Sequence, residues 1–364
     1  MAQKPEIYFY LPECDLETVP ARIEDYWEWQ TATEGLSPWW GVYHWVLQTF
    51  LYLRQAGFPC RLTKNLPDDG ILISHRDYLG LNLWPKKNLV VVCLLVDRPI
   101  PHPYAHFHVV HRAGQNAGFA HRSRHLPPWP QVSLMPRDPA RGNRFETVGY
   151  FGYEVNLVDE LRSDQFRMDL KELGLNFYVP PPSEWNDFRN IDAVVGIRSF
   201  GRKKYYGKIR WPISTKPALK LVNAWHAGTP AILGYEPGYR SVRRSDLDFI
   251  EANTYDDVLA GLGILAESPA LRRQMRENGF ERAKEFTPEA IIGQWIKLLS
   301  DEVIPYYHAW KANNLHRMAF RAERKIVHYY AWNANNLRRM AFRAEREIVR
   351  TGRRIRAILH SRSE

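Results

Sequence analysis

The sequence feature that most constrains the fold is the apolar run NLVVVCLLV at residues 88–96. A strand made from this run is apolar on both faces, which is typical of a parallel sheet that helices cover on both sides. A helical pattern lies upstream, at residues 37–57. Four shorter apolar runs, each bounded by turn residues, lie at positions 7–11, 60–63, 70–74 and 106–111. Short strands interleaved with helices predict a doubly wound α/β domain over residues 1–140.

A second α/β pattern begins after a Pro- and Arg-rich stretch at residues 127–144, which has no periodicity and suits an interdomain linker. Strands are predicted at residues 147–150, 176–179, 193–198 and 231–234. Helices are predicted at residues 155–161, 217–227, 255–267 and 271–286. We therefore expect a second Rossmann-like domain over residues 141–300, followed by a long helical extension over residues 301–364.

The helical extension contains an internal repeat. NNLHRMAFRAERKIV at residues 313–327 recurs as NNLRRMAFRAEREIV at residues 335–349, offset by 22 residues. Apolar residues recur in it at intervals of eleven, which predicts a nearly straight amphipathic helix. The net charge is concentrated in this segment, because twelve Arg and two Lys stand against six acidic residues and give +8 of the total +10.

Three interpretations of the extension are open. Its apolar stripe would serve as a seam for self-association. Its arginines and aromatic residues would instead bind an anionic membrane surface. A solvated accessory helix is the third reading. Acidic residues interrupt the basic charge and no recognised nucleic-acid-binding module is present, which argues against a nucleic-acid partner.

The remaining composition is typical of a cytoplasmic protein. No run of 18 apolar residues is present, and the N-terminus lacks the basic and apolar regions of a secretory signal. The three cysteines, Cys14, Cys60 and Cys93, are scattered and form no CxxC motif, as expected of buried thiols in a reducing compartment. We expect a cytoplasmic protein, peripheral at the inner face of a membrane if the extension binds lipid.

The most informative segment for function is STKPALKLVNAWHAGTPAILG at residues 214–234. Ser214 or Thr215 is predicted to cap a helix at residues 217–227, and Gly228 is predicted to end it. A buried strand, AILG, follows directly. The segment therefore predicts a capped helix that runs straight into a core strand.

Three polar residues of this segment, Lys216, Lys220 and Asn223, are spaced to lie on one face of the predicted helix. A helix N-terminus presents free backbone N–H groups and a partial positive charge, which favour an anion. With two lysines on the same edge, this end of the helix predicts a pocket for a diphosphate.

The same segment resembles the donor-binding half of GT-B glycosyltransferases, in which a lysine, an acidic residue and a Gly-x-Pro precede the strand beside the donor. The resemblance extends over residues 141–299, includes the YDD motif at residues 255–257, and is to retaining enzymes that use nucleotide sugars. It implies that Lys220 contacts the donor phosphate and that Asn223 lies on the donor ribose. Thr215 and Asn223 stand where many relatives carry a pair of glutamates.

Residues near the carboxyl ends of predicted strands complete the expected donor site. Arg198 ends a strand, which is where ligands bind in such sheets, and we expect it to neutralise the leaving diphosphate together with Lys220. The basic loop RKKYYGKIR that follows includes Lys208, which either contacts phosphate or is solvated. The turn after AILG either touches the sugar or is a simple turn. Its three donor-side candidates are Glu236, Gly238 and Tyr239.

The first domain offers acceptor-side candidates. Ser37, Trp39, Trp40 and Gly41 lie in a loop that runs into the helix at the cleft corner, where the tryptophans stack on a ligand or belong to the core. His111 ends a predicted strand at the cleft edge and is either a base or a structural residue.

We therefore expect a glycosyltransferase that moves a sugar from a nucleotide sugar to an acceptor in the interdomain cleft. His106 and His108 alternate on a strand without a third ligand at metal spacing, so no metal site is predicted and no cofactor is expected beyond the nucleotide-sugar substrate. The alternative is a catalytically inactive GT-B-like scaffold that assembles through its C-terminal helix, because the carboxylate pair of the relatives is absent.

Overall fold

A computed structural model describes residues 4–32, 40–80, 85–112, 114, 122–201, 205–206, 211–322 and 324 of the 364-residue chain. For residues 40–41, 205–206 and 211–212 it describes the backbone alone. Two parallel β-sheets organise the described residues, one in each half of the chain, and helices pack against both.

The first sheet has six parallel strands in the order β2-β1-β3-β4-β5-β6. The apolar run at residues 88–96 forms β4, which is buried from its second residue to its end, as a strand covered on both faces should be. The elements of this half are β1 (Ile7–Tyr10), α1 (Tyr26–Ala32), α2 (Trp40–Gln55), β2 (Arg61–Thr63), β3 (Asp69–His75), β4 (Asn88–Leu94), β5 (Phe107–Val110) and β6 (Ser123–His125).

The second sheet has five parallel strands in the order β13-β12-β9-β7-β8. A short antiparallel pair, β10 (Tyr205–Tyr206) and β11 (Trp211–Pro212), lies outside it. The strands of the sheet are β7 (Thr147–Gly149), β8 (Asn176–Tyr178), β9 (Ala193–Gly196), β12 (Ala231–Gly234) and β13 (Ile250–Ala252). The helices of this half are α3 (Asp164–Glu172), α4 (Leu219–Ala227), α5 (Pro237–Val242), α6 (Tyr255–Glu267) and α7 (Pro269–Ala283).

Both sheets follow the same winding. The second strand of each lies on one side of the first, and the chain then returns to build the remaining strands on the other side. The winding direction therefore reverses between β1 and β3 in the first sheet and between β7 and β9 in the second. Ligands bind outside the carboxyl ends of strands at such switch points. The predicted pair of doubly wound, Rossmann-like domains is confirmed.

Local sequence signals explain where several helices begin and end. Thr254 caps α6 in a capping box with Asp257. Ser268 and Thr287 cap α7 and the following helix, each ahead of a proline in the first helical turn. Gly228 ends α4 with φ of 66°, a left-handed conformation that glycine adopts without strain. None of the helices in the described part of the chain is long and apolar enough to cross a bilayer.

The segment between the two sheets is bound to both halves. Trp129 Nε1 donates a hydrogen bond to Thr49 Oγ1 on α2 at 2.7 Å. Further along, the buried Asp192 Oδ1 accepts hydrogen bonds from Arg137 Nε and Arg141 Nε, both at 2.9 Å. Hydrogen bonds and an ion-pair network, rather than helical or strand periodicity, therefore order this linker.

The chain returns to the first domain after α7. Helix α8 (Pro288–Lys297) lies beside α2 and continues through a π-helical segment (Leu298–Val303) into α9 (Ile304–Ala312), near β3 and β4. Trp295 and Trp310 are buried in the same apolar core as β1 and α2. Residues from α8 onward thus pack with the first domain, whereas the sequence placed the boundary of the second domain at residue 300.

The predicted uninterrupted helix of the extension is broken at Asn313. Asn313 has extended backbone, and its side chain accepts a hydrogen bond from His316 N at 2.8 Å, so it caps a new helical segment at residues 314–322. Leu315 and Met318, which belong to the predicted apolar stripe, are 77% and 61% exposed. The second copy of the repeat lies outside the described residues, so the continuation of the helix stays a prediction.

Candidate functional site

A cavity of about 210 Å³ lies between the two halves, at the carboxyl ends of β7 and β9. Tyr150 and Gly152, which follow β7, and Arg198, which follows β9, line one side of it. His44 and Asp97 of the first half line the other side. Because β7 and β9 flank the switch point of the second sheet, the cavity occupies the position where doubly wound domains bind ligands.

Lys220, the second residue of α4, occupies the centre of the second-domain wall. Its Nζ donates a hydrogen bond to the carbonyl oxygen of Phe151 and lies 4.5 Å from the centroid of the Tyr150 ring. Gly152 has φ of 152°, and a Cβ there would lie 2.6 Å from the ammonium nitrogen, so only glycine fits beside it. Burial and the charge of the nearby Arg198 lower the pKa of Lys220 to about 7.

Arg198 is held at the cavity wall by two buried residues behind it. Its Nη1 donates to Glu236 Oε2 at 2.5 Å and to Tyr239 Oη at 3.4 Å. Neither partner lines the cavity. A buried carboxylate needs a positive partner, so the ion pair compensates the charge of Glu236 through Oε2 and fixes the guanidinium beside Lys220.

An ion pair crosses the cleft between the two domains. Lys216, just before α4, places Nζ 3.2 Å from Oδ1 of Asp97, which follows β4. Burial alone would raise the pKa of Asp97, but the charges of Lys216, Arg198 and Arg98 and the hydrogen bond to Lys216 together hold the pKa below its usual range. Beside this pair, Arg112 Nε donates to the carbonyl oxygen of Ser214 at 3.0 Å. The two walls are therefore connected by an ion pair and a hydrogen bond in addition to the covalent linker.

Two further residues support the basic wall. Asn223 Oδ1 accepts a hydrogen bond from Gln131 N of the linker at 3.0 Å while its side chain lines the cavity. Gly238, in the first turn of α5, packs so closely that a Cβ there would lie 2.3 Å from the carbonyl oxygen of Lys216. The backbone of α5 therefore supports the turn that carries Lys216.

Two doubly wound parallel sheets thus face a shared cleft, and three basic side chains of the second domain meet at its switch point. This is the GT-B fold. The fold predicted from the resemblance of residues 141–299 is confirmed.

Several solved structures are similar to this GT-B chain. HepE from Anabaena, solved with UDP and glucose, is 10% identical with a TM-score of 0.49, over 81% of this chain and 99% of HepE. TarM is 12% identical with a TM-score of 0.44, over 70% of this chain and 58% of TarM. Sucrose-phosphate synthase from Thermosynechococcus elongatus is 14% identical with a TM-score of 0.44, over 67% of this chain and 74% of the synthase. No family model and no curated protein matches the chain.

The structure brings four predicted site residues to one cavity. Lys216, Lys220, Asn223 and Arg198 all line it, although they come from two separate segments of the second domain, the stretch around the start of α4 and the end of β9. Their convergence follows from the parallel sheet, which gathers the ends of distant strands at one edge. The roles assigned to them remain predictions.

The predicted capping of α4 differs from the structure. The helix begins at Leu219 without a side-chain cap, and Ser214 and Thr215 belong to a 3-10 turn (Ile213–Thr215) instead. That turn is closed by a hydrogen bond from Lys216 N to the carbonyl oxygen at its start, so Lys216 precedes the helix. Thr215 is buried away from the cavity. Lys216, Lys220 and Asn223 therefore do not lie on one face of a single helix: Lys216 belongs to the turn, and the other two belong to α4.

The expectation that His111 faces the cleft is not met. The ring is buried behind Trp45, whose ring centroid is 4.5 Å away, and Nδ1 lies 2.6 Å from the carbonyl oxygen of Leu126. Burial lowers the pKa of His111 to about 4. The apolar strand β5 carries this histidine into the core, where the backbone carbonyl satisfies it.

Other predicted residues fall behind the wall or outside the described part of the chain. Glu236 and Tyr239 do not line the cavity but accept hydrogen bonds from Arg198, which does. Gly238 packs against the backbone of Lys216. Trp40 and Gly41 begin α2. The candidates that lie outside the described residues are Ser37, Trp39 and Lys208.

Sequence reasoning missed the first-domain wall. His44, Trp45 and Asp97 line the cavity, as do Trp185 and Phe188 from the second domain. The sequence does carry a signal for Asp97, because it directly follows the apolar run at residues 88–96 and so lies near the carboxyl end of β4. No sequence signal identifies His44, because it lies within an aromatic-rich helix in which only packing determines which side chains face the cleft.

Proposed function

We propose that this chain is a glycosyltransferase that binds a nucleotide sugar in the cleft and transfers the sugar to an acceptor entering from the first-domain side. The observation that supports the proposal is the meeting of Lys216, Lys220 and Arg198 at one cavity at the switch point of the second sheet. Three cations at one site suit a ligand with several negative charges, and a diphosphate supplies them.

The arrangement suits the charge that develops during sugar transfer. When the bond between the sugar and the diphosphate breaks, negative charge accumulates on the leaving oxygen, and fixed cations stabilise it. Lys220 and Arg198 are fixed before the ligand arrives, by the Phe151 carbonyl and by Glu236. The N-terminus of α4, where Leu219 lines the cavity, adds backbone N–H groups on the same side. We propose that these groups neutralise the diphosphate without a metal ion.

Replacement of Lys220 tests the proposal. Calorimetric titration or thermal shift with UDP, GDP and ADP should show that wild type binds at least one nucleotide. Lys220→Ala should weaken that binding by about 10–100-fold, because a hydrogen bond to a charged group is worth about 1.5–3 kcal/mol. The matched control is Lys171→Ala, an exposed lysine at the end of α3, which should bind like wild type.

A wild-type chain that responds to none of these nucleotides or their sugars would contradict the proposal. If wild type binds a nucleotide and Lys220→Ala binds it equally well, the nucleotide does not bind in this cavity.

A catalytically inactive GT-B scaffold is the second candidate function. Thr215 and Asn223 supply no carboxylate, and the exposure of Leu315 and Met318 fits assembly through the C-terminal segment. Sedimentation of the full chain distinguishes the two partners considered for this segment: self-association shows without lipid, whereas membrane binding shows only with anionic liposomes. An assembling protein that binds and turns over no nucleotide sugar would support the scaffold.

A further inference from the structure

A second concave site lies at the edge of the second sheet opposite the cleft. It is a depression of about 10 Å³, which has room for about one oxygen-sized group, at the amino ends of β9 and β12. Five arginines from the linker and from α7 line it, and we call them the arginine pocket: Arg137, Arg144, Arg272, Arg273 and Arg276. Among the described residues that line the depression, only Asp192 is acidic.

The carboxylate of Asp192 compensates the linker and leaves nothing for α7. It forms ion pairs with Arg137 at 2.9 Å and with Arg141 at 2.6 Å. With the backbone N–H groups of Glu146 and Thr147 it accepts five hydrogen bonds, whereas a carboxylate offers about four acceptor positions. Asp192 therefore has no capacity for the remaining four arginines of the pocket.

Two of those four arginines are held by uncharged partners. Arg272 is 8% exposed, and its Nη2 donates to the carbonyl oxygen of Asn143 at 2.8 Å. Arg144 is exposed, and its Nη2 donates to the carbonyl oxygen of Ala140 at 3.2 Å. These carbonyl groups fix the positions of the two guanidinium groups but supply no negative charge.

The other two, Arg273 and Arg276, are less constrained. Within the described part of the chain neither makes a hydrogen bond or an ion pair, although Arg276 is partly buried. Burial and the charge of Arg137 lower the pKa of Arg276, and Arg273 acts in the same direction against the opposing charge of Glu277. Like charges in a partly buried place repel one another, so a bound anion would stabilise the group.

The shape of the depression selects the class of anion. Guanidinium groups donate paired N–H groups that match the oxygens of a phosphate, which accepts several of them at once. Arg272 is buried and Arg273 is exposed, so the cations surround the depression from its inner part to its mouth. A flat lipid surface does not reach a buried guanidinium, which favours a small free anion.

We propose that the arginine pocket binds a free phosphate-type oxyanion, inorganic phosphate or pyrophosphate, at the amino edge of the second sheet. None of its arginines lines the cavity that contains Lys220, so the inference does not rest on the proposed function of the cleft. The anion stabilises the second domain, because a ligand that binds only the folded chain shifts the folding equilibrium. Arg137 N also donates to the carbonyl oxygen of Ala227 at 2.9 Å, so the pocket adjoins the end of α4.

Calorimetric titration of the full chain with inorganic phosphate and with pyrophosphate tests the proposal. Every protein carries Lys220→Ala, because pyrophosphate also suits the cleft, and this parent chain should bind at least one of the two anions. Adding Arg273→Gln and Arg276→Gln should weaken that binding by at least about tenfold, because two charged donors are removed. The matched control adds Arg189→Gln and Arg244→Gln, which remove the same charge at exposed arginines outside the pocket, and should bind like the parent.

Two measurements separate binding from folding and locate the site. Melting temperatures show whether each variant is folded, and Arg273→Gln alone, at an exposed position, provides the comparison if the double variant is not. Hydrogen exchange with pyrophosphate should be slowed in residues 269–277 of the parent and unchanged there in the double variant.

Several results would overturn the proposal. Equal affinity of the parent and the Arg273→Gln, Arg276→Gln chain would do so, and so would an equal loss in the charge-matched control, which would show a general effect of net charge. Failure of the parent to bind either anion would also overturn it. If the parent binds only vesicles containing phosphatidic acid, the surface is a membrane contact and not an oxyanion site. Nucleotide binding by wild type is measured separately, so none of these results decides the proposed function.

Discussion

Lys220 is held in a fixed position, and its charge depends on its surroundings. Its Nζ is held by the Phe151 carbonyl and lies over the Tyr150 ring, while burial and Arg198 disfavour the ammonium form. A diphosphate bound as proposed would reverse that balance, because its negative charges would favour the ammonium form. Ligand binding and proton binding at Lys220 would therefore be coupled.

We predict that nucleoside diphosphate binding takes up a proton at Lys220. With a pKa of about 7, about nine-tenths of Lys220 is neutral at pH 8 in the empty site, and the bound diphosphate restores the charge. Affinity should fall as the pH rises above 7. Calorimetry at pH 8 in buffers of different ionisation enthalpy should show close to one proton taken up. Lys220→Arg, which stays charged, should show almost no uptake, and equal uptake in both proteins would refute the coupling.

The predictability of the site differs from residue to residue. Lys216, Lys220 and Arg198 could be found because they flank recognisable strand and helix boundaries in a fold that binds ligands at strand ends. His111 satisfied the same rule and yet is buried, because the rule fixes the position of the backbone and not the direction of the side chain. The contribution of His44 and Trp45 depends on how the two domains face each other, which no local pattern encodes.

Among the secondary-structure elements, the C-terminal segment differs most from the structure that the sequence predicts. The eleven-residue period predicted one long helix, but Asn313 caps a new segment and turns it back, so that Trp310 and Phe320 pack around His106. Trp310 and Phe320, two of the aromatic residues that suggested membrane contact, lie instead in the core of the first domain. The periodicity predicts which residues lie on one face of a helix. The capping residue determines where the helix begins and therefore the direction in which that face is oriented.

We predict that Trp310 anchors this segment. The side chain is 2% exposed, and its Nε1 donates to the carbonyl oxygen of Lys87 at 3.0 Å. Trp310→Ala should lower the free energy of unfolding by about 3–5 kcal/mol, the usual cost of removing a buried tryptophan. Urea denaturation measures the change. Leu315→Ala, at a 77% exposed position five residues away, is the control and should change stability by less than about 0.5 kcal/mol. Similar effects for both would show that the segment does not pack as described.

At the scale of the whole molecule, the two domains divide the chemistry between them. The second domain supplies the positive charge of the cleft, and the first supplies neutral and acidic groups. The Lys216–Asp97 pair joins the walls, and a diphosphate bound as proposed would compete with Asp97 for Lys216. The two-domain layout could be predicted from strand alternation, but this pairing could not, because its partners lie more than a hundred residues apart.

The first domain should be sensitive to acid. Burial lowers the pKa of seven of its described histidines below the ordinary value of 6.5: His44, His75, His102, His106, His108, His111 and His125. Their folded-state pKa lies below the unfolded one, so the unfolded chain binds more protons and stability falls as the pH drops below 6.5. Each buried histidine should cost about 1 kcal/mol per pH unit in that range.

Urea unfolding at pH 7.5, 6.5 and 5.5 measures this dependence. The midpoint should begin to fall between pH 7.5 and 6.5, where the histidines of the unfolded chain start to bind protons, and should fall more steeply between pH 6.5 and 5.5. His44→Leu removes one titrating group and should show a shallower decline. A midpoint that does not move between pH 6.5 and 5.5 would mean that these histidines are not buried in the neutral form.

The return of α8 and α9 to the first domain also determines how the molecule would bear a mechanical load. Ile7 and Phe320 both lie in the first domain, so the second domain is in effect an insertion between two parts of it. Tension applied between those residues would pass through the contacts of the first domain while the inserted domain stayed unloaded. The first-domain wall of the cleft would therefore yield first, and the second-domain wall would keep its shape until the first domain had opened.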